Sequence, residues 1–265
     1  MTFKFLIMRI HWFFSSQFGL DPFRIFNALR GIPSYLSDFV IFKKAYKGKV
    51  EIMPCLFDKH DEGGSTKSEY FWQDLMVSRF IYKANPVRHV DIGSRIDGFV
   101  AHIASFRDCE VFDVRPISTK IPGVKFHQAD LMNPIKSGRN SKYKLCDSIS
   151  CLHALEHFGL GRYGDPIDPE GYKRGIFNIS ELLEFGGVFY LSTPVGEERV
   201  EFNANWIFNP FVIVNCAKNA NLKLEKLFSI SALSRPKRLK INNSNLVKLS
   251  KQRYQLVLFV FKKSN

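Results

Sequence analysis

Five short apolar and β-branched runs recur along the middle of the chain, at Val87 to Ile92, Glu110 to Val114, Val124 to Gln128, Ser148 to Cys151 and Val188 to Ser192, with helical stretches between them. This alternation limits the fold more than any other feature. Strands separated by helical crossovers pair in parallel, and the crossovers cover both faces of the resulting sheet. The pattern also predicts a helix from Tyr70 to Lys83 and two late strands, Leu222 to Ser231 and Tyr254 to Lys262. A basic, helix-poor stretch, Arg235 to Arg253, is expected between the late strands. The expected class is α/β, a mostly parallel sheet with helices on both faces.

With 265 residues, 45% of them hydrophobic, the chain can bury a sizeable core, which excludes intrinsic disorder and a small disulfide scaffold. The five cysteines, Cys55, Cys109, Cys146, Cys151 and Cys216, form no C-x-x-C pair, and their scatter fits a reducing, cytoplasmic setting better than a zinc framework. The net charge of +13 is unevenly placed. Residues 1–50 hold 8 basic and 2 acidic side chains and residues 218–265 hold 12 and 1, which leaves the middle slightly acidic. Basic ends suit an anionic surface, and a near-neutral middle suits chemistry.

The first residues resemble a secretion signal, but Lys4 and Arg9 interrupt the apolar run and no small-residue cleavage site follows. The longest uncharged stretch, Ile10 to Leu20, is too short to cross a bilayer. An aromatic stripe continues through Phe23, Ile25, Phe26 and Leu29. Such a stripe most often packs against its own domain, and peripheral contact with an anionic membrane is the second expectation. The loop at Asp61 to Thr66 divides the chain into a basic helical extension, 1–64, and a main domain, 65–265.

Chemistry begins where the first strand ends, in V-D-I-G-S-R-I-D-G-F. Asp91, Gly93, Ser94 and Gly98 form an acidic, glycine-bearing turn of the kind that lets a ligand approach backbone N–H groups at a helix start. Asp113 ends the second strand 22 residues after Asp91, where an acid can accept both ribose hydroxyls. Asp130, with Leu131, follows the third strand, where it can meet an adenine amino group. Each acid by itself also suits a helix cap. Three at successive strand ends gather at the sheet edge where such folds bind ligands.

Across residues 69 to 210, the runs E-Y-F-W-Q-D-L, H-V-D-I-G-S-R-I-D-G-F-V-A-H-I-A-S-F, D-S-I-S-C-L-H-A-L-E-H-F-G-L-G-R-Y-G-D-P and V-E-F-N-A-N resemble an uncharacterised family. It was first catalogued from nematode proteins as a domain of unknown function, and similar proteins occur among bacterial surface-polysaccharide genes. That family in turn resembles class I S-adenosylmethionine-dependent methyltransferases. The resemblance implies a Rossmann-like, seven-stranded sheet with an antiparallel last strand. It places Asp91, Gly93 and the turn after it at the methionine end of S-adenosylmethionine, Asp113 at the ribose, and Asp130 with Leu131 at the adenine. Arg95 and Asp97 stand where the methyltransferase pattern has glycines, so the turn stays open only if Arg95 points outward.

The fourth strand leads into C-L-H-A-L-E-H-F, where class I methyltransferases commonly carry a similar L-E-H. His153 or His157 can serve as general base toward an acceptor hydroxyl, since imidazole titrates near neutral pH, and Glu156 can orient the base or the cofactor amine. The same residues spell H-x-x-E-H, a zinc-hydrolase pattern that requires both histidines on one helix, whereas here a strand ends just before His153. A divalent ion held in this loop is a further variant, and a histidine that only bonds its neighbouring backbone is the bland one.

The glycine-rich run from Gly159 to Pro169 is a candidate lid. Arg162, Tyr163 and Asp165 can grip a polar acceptor such as a sugar, or Arg162 and Asp165 can simply hold a rigid turn. Glu201, Asn203 and Asn205 are expected on the acceptor side. The expected function is methyl transfer to an oxygen of a saccharide or surface-glycan precursor. The alternative is a non-catalytic glycan-binding or scaffold protein that keeps the fold. A dehydrogenase explains the turn and Asp113 but neither Asp130 nor the L-E-H segment. A nucleic-acid partner, suggested by Arg235, Lys237, Arg238 and Lys240, lacks the aromatic recognition pattern.

Overall fold

The computed structural model describes residues 3–60, 64, 66–134, 143 and 145–264. Most of the loop read at Asp61 to Thr66 lies outside the described residues. The chain divides into two compact units, Met1–Ser65 and Thr66–Asn265.

The first unit holds helices α1 (Phe3–Phe18) and α2 (Pro22–Ala45). Asp21 caps α2, accepting the N–H groups of Phe23 and Arg24, and Pro22 occupies the first turn, where its missing donor costs nothing. A short 3-10 turn, Asp58–His60, follows. No described side chain between residues 3 and 60 is buried. The expectation that the aromatic stripe packs into its own domain is therefore not met within this unit.

The second unit opens with α3 (Glu69–Ala84), which stops at Asn85 in a left-handed conformation, φ 43°, with its N–H on the carbonyl of Ile81. Strands β1 (His89–Ile92), β2 (Cys109–Asp113) and β3 (Val124–Gln128) follow, with a π turn at Ile96–Val100 and the short α4 (Ala101–Ala104) between the first two. Then come β4 (Cys146–Leu152), α5 (Gly171–Leu182), β5 (Leu183–Val195), a small hairpin of β6 (Arg199–Glu201) and β7 (Asn205–Ile207), and α6 (Pro210–Asn219). The chain ends with β8 (Leu222–Ser231), β9 (Ser234–Leu239), α7 (Asn243–Ser250) and β10 (Gln255–Lys263).

Eight strands form the main sheet in the order β3-β2-β1-β4-β5-β10-β8-β9. The first five pair in parallel, and β10 inserts antiparallel between β5 and β8. This is the Rossmann-like arrangement with a reversed last strand. Because β10 lies between two strands with both faces covered, its run L-V-L-F-V-F is apolar throughout. Val257, Phe259 and Phe261 join one core layer and Leu256, Leu258 and Val260 the other, as a two-residue repeat requires.

Among the described residues the main sheet has eight strands where seven were expected, and the segment from Arg235 to Arg253 is not helix-poor. It contains β9 and α7. Helix α7 is fixed by Asn242, whose side chain accepts the N–H of Asn245, and by Leu246 and Leu249, three apart and buried. The exposed Arg235, Lys237 and Arg238 lie along β9, the sheet edge, where charge discourages further strand pairing.

Candidate functional site

The strand order reverses between β1 and β4, which are adjacent in register with Asp91 opposite Ser150. Ligands bind in such sheets outside the carboxyl ends of the strands at this switch point. Two turns meet there. Gly93 has a left-handed backbone, φ 68°, and a Cβ on it would lie 2.9 Å from the Cβ of Ala154 in the turn after β4. Only glycine lets the two turns approach so closely.

The first turn is held from inside. Asp91 is 1% exposed, and its carboxyl accepts the Ser94 hydroxyl at 2.7 Å, the Ser150 hydroxyl at 2.6 Å and the Ser94 N–H at 3.0 Å. Burial pushes its pKa up to about 7, against the opposing pull of those hydrogen bonds. Arg95 points outward, with its guanidinium on both oxygens of Asp97 at 3.1 and 2.7 Å and 5.7 Å from the centre of the Tyr70 ring. The turn is thus open despite the missing glycines. A Cβ on Gly98 would lie 3.1 Å from Oδ2 of Asp74, on α3.

Asp113 sits at the end of β2 as expected, but both of its oxygens are engaged. Arg115 donates Nη2 to Oδ2 at 2.6 Å, and its Nε and backbone N–H to Oδ1 at 3.0 and 2.8 Å. The same guanidinium lies 4.5 Å from the centre of the Tyr163 ring and reaches the Gly93 carbonyl at 3.5 Å. Asp130 closes its own turn, accepting Met132 N–H at 2.8 Å and Asn133 Nδ2 at 3.0 Å. Leu131 is 2% exposed, packed in the core, with its carbonyl taken by Asn178.

The second turn carries the histidines. His153 follows β4 with φ 53°, and Leu155–His157 form a single 3-10 turn, so the two histidines do not share a helix face. The Nδ1 N–H of His153 donates to Glu156 Oε1 at 2.7 Å. Its Nε2 is buried and has no hydrogen-bond partner among the described residues. Glu156 is 1% exposed, and Thr193 Oγ1 donates to its other oxygen at 3.3 Å. Burial raises the pKa of Glu156, but the hydrogen bond from His153 and the charges of His153 and His157 outweigh it, so the carboxyl titrates below its ordinary range. His157 instead donates Nδ1–H to the carbonyl of Ala204 at 2.7 Å, and burial lowers its pKa.

Within the glycine-rich run, Asp165 faces inward and accepts the N–H groups of Gly159, Gly161 and Tyr163 at 3.0 to 3.2 Å. It shapes the loop and leaves Arg162 exposed, while Tyr163 is half-buried with its ring edge-on to that of His157, 5.4 Å between centres. Arg162 Nη1 donates to the same Ala204 carbonyl at 2.8 Å, and its guanidinium lies 5.1 Å from the centre of the Tyr163 ring. The tip of the β6–β7 hairpin is thereby tied to the loop. Of the hairpin residues, Glu201 pairs with Arg199, Asn203 is exposed, and Asn205 bonds the Trp206 carbonyl.

Three residues that the sequence pattern did not single out complete the site: Tyr70, Asp74 and Arg115. The Tyr70 ring lies 4.5 Å from that of His153, centre to centre. Asp74 is 6% exposed, bonded to Gln73 and held in a raised pKa by burial. The signal for Arg115 was present in V-F-D-V-R-P, an arginine two residues after the strand-end acid. That for Tyr70 and Asp74 was only the E-Y-F-W-Q-D-L run itself.

Residues 127–263 match the sequence family described as Caenorhabditis protein of unknown function, DUF268. The match begins at β3, after the glycine turn, and continues to the end of β10. No curated protein matches the chain. Similar solved structures include the N-methyltransferase NodS of Bradyrhizobium japonicum with S-adenosylhomocysteine, at 11% identity and TM-score 0.47, covering 74% of this chain and 88% of that one. A 1,6-didemethyltoxoflavin-N1-methyltransferase of Burkholderia thailandensis is 10% identical with TM-score 0.49, covering 93% and 92%. An S-adenosylmethionine-dependent methyltransferase of Clostridium acetobutylicum is 13% identical with TM-score 0.47, covering 88% and 100%. All three scores lie below 0.5, so the strand order, and not these likenesses, identifies the fold.

Proposed function

From a chain that belongs to the Caenorhabditis family of unknown function DUF268, we propose an S-adenosylmethionine-dependent methyltransferase that methylates a hydroxyl of a saccharide or surface-glycan precursor. The observation that carries this reading is the His153–Glu156 pair at the switch point. A buried carboxylate fixes the imidazole and leaves Nε2 without a partner. The saccharide rests on the family resemblance and on the polar rim of Arg162, Tyr163 and the hairpin tip.

The residues fit the cofactor in part. The open turn at Gly93 and the acid at Asp113 suit its methionine and ribose ends, and the ribose end requires Arg115 to leave Asp113. When bound, S-adenosylmethionine supplies an electrophilic methyl group that needs only a well-placed nucleophile. Glu156 keeps the proton of His153 on Nδ1, so the lone pair of Nε2 can take the proton of the acceptor hydroxyl. Tyr70 packs on His153 and limits water at the base, and acceptor entry requires its ring to move. His157 and Arg162, both on the Ala204 carbonyl, hold the hairpin beside the loop.

Calorimetric titration with S-adenosylmethionine and S-adenosylhomocysteine tests the reading. Saturable binding lost in Asp113→Ala, followed by methyl transfer to a sugar that is lost in His153→Ala, is the expected result. Folded protein that binds neither ligand at about millimolar concentration, about −4 kcal/mol or weaker, overturns it. One observation favours the second reading, a non-catalytic glycan-binding or scaffold protein: Asp113 is already saturated by Arg115. Glycan binding in the absence of any cofactor binding would establish that reading.

A further inference from the structure

The first unit presents an apolar surface that nothing within the unit covers. Helix α2 has no buried residue. The segment 47–60 returns along one face of it: a Cβ on Gly31 would overlap the Leu56 carbonyl, Arg24 lies 4.9 Å from the centre of the Phe57 ring, and Lys59 pairs with Asp38 at 2.7 Å. Residues 24, 31 and 38 are seven apart and share that face. Turned roughly half a revolution away are Ile25, Leu29, Ile32, Leu36 and Val40, spaced as one helical stripe and 38 to 59% exposed.

Helix α1 is apolar around most of its circumference. Ile7, Met8, Ile10, Trp12, Phe13 and Phe14 are all 44 to 59% exposed, and neighbours such as Trp12, Phe13 and Phe14 point in directions about 100° apart. The apolar surface of α1 is wider than the narrow seam that packs two helices together, and apolar, aromatic side chains beside cations suit a helix lying in a membrane interface. Among the described residues no helix is long and apolar enough to cross a membrane. Cations accompany the apolar surface. Arg24, Arg30, Lys43, Lys44 and Lys47 have no carboxylate partner among the described residues.

We propose that this unit docks on an anionic phospholipid surface, with α1 and α2 lying in the interface and the cations against lipid phosphates. Exposed aromatic side chains suit the interfacial region, and clustered Lys and Arg suit a negatively charged leaflet. This proposal rests on the first unit and stands apart from the enzymatic reading.

The test is flotation of the full chain with vesicles of phosphatidylcholine, with and without phosphatidylglycerol. Saturable binding at least about tenfold stronger on the anionic vesicles is expected, since each cation near such a surface contributes several-fold. Leu29→Glu with Leu36→Glu should remove that binding while the melting transition of the sheet unit stays unchanged. Trp12 is the only tryptophan in its unit, and brominated lipid should quench its fluorescence in wild type and not in Trp12→Phe. Absent binding, or equal binding by the double variant, overturns the proposal. A wild-type dimer without lipid that the double variant converts to monomer also overturns it, by making the stripe a contact between two copies.

Discussion

Asp91, in β1, and Glu156, in the turn after β4, are both 1% exposed beside the switch point, yet their charge states diverge. Asp91 is surrounded by hydroxyls and an N–H, which do not offset the cost of burying charge, so its pKa rises to about 7. Glu156 is buried equally but faces His153, and its pKa falls. Equal burial thus yields opposite outcomes, and the hydrogen bond from the His153 imidazole makes the difference. One carboxyl becomes a structural clamp near neutrality, while the other remains a charged arm for a base.

The largest effect expected from breaking this contrast is on turnover. His153→Ala should lower methyl transfer by about 10²- to 10⁴-fold, with S-adenosylmethionine binding unchanged by calorimetry. His157→Ala should cost clearly less, because its ring bonds a backbone carbonyl. The reverse ranking in steady-state assays would reassign the base.

Glu156→Ala leaves the buried Nδ1–H of His153 without its acceptor and should destabilise the protein by about 1–3 kcal/mol in urea unfolding at neutral pH. A loss below about 1 kcal/mol would mean that the pair carries little energy. The pH dependence has a definite sign. A lowered folded pKa means that the stability due to Glu156 is present above its ordinary value of 4.5 and is lost as pH falls through the folded pKa.

Asp91 should show the opposite slope. With a folded pKa raised from 3.8 to about 7, the native state holds the extra proton between those values, so stability falls as pH rises from about 4 to 7. The contribution is at most ~4 kcal/mol, since each tenfold gain in proton affinity is worth ~1.4 kcal/mol. Asp91→Asn should flatten this part of the profile, and an unchanged slope in urea midpoints measured across it would place the proton elsewhere.

The smallest expected effect concerns Asp113. If ligand ribose displaces Arg115, Arg115→Ala should tighten S-adenosylmethionine binding by about tenfold, about 1.4 kcal/mol, measured by the same titration. Weaker binding in this variant would make Arg115 a ligand contact and not a competitor.

Much of the fold was legible because strand periodicity and turn residues act locally. The parallel strands, α3 and the antiparallel β10 follow the expected pattern, with shifted ends. Strand β9 was missed because an exposed edge strand rich in Arg and Lys lacks the apolar alternation that marks a half-buried one, and helix α7 because eight residues with Leu246 and Leu249 as the buried pair give little helical period. The two apolar helices of the first unit were expected to be buried, since a stripe in the sequence does not state whether anything covers it.

In the site, positions were legible and partners were not. Asp91, Gly93, Asp113, His153 and Glu156 stand at the strand ends where the chain order placed them. That Asp165 would shape its loop, and that Asp130 would close its own turn, depended on which way each side chain faced. Tyr70 lies more than eighty residues before His153, and only packing of α3 brings the rings together. The succession of strands and the residues that reach the carboxyl edge follow from the amino-acid order, because backbone propensity and apolar spacing are properties of neighbours along the chain. Which carboxyls are charged, clamped or free to act follows from the folded arrangement, because desolvation and charge pairing depend on groups brought together from distant strands.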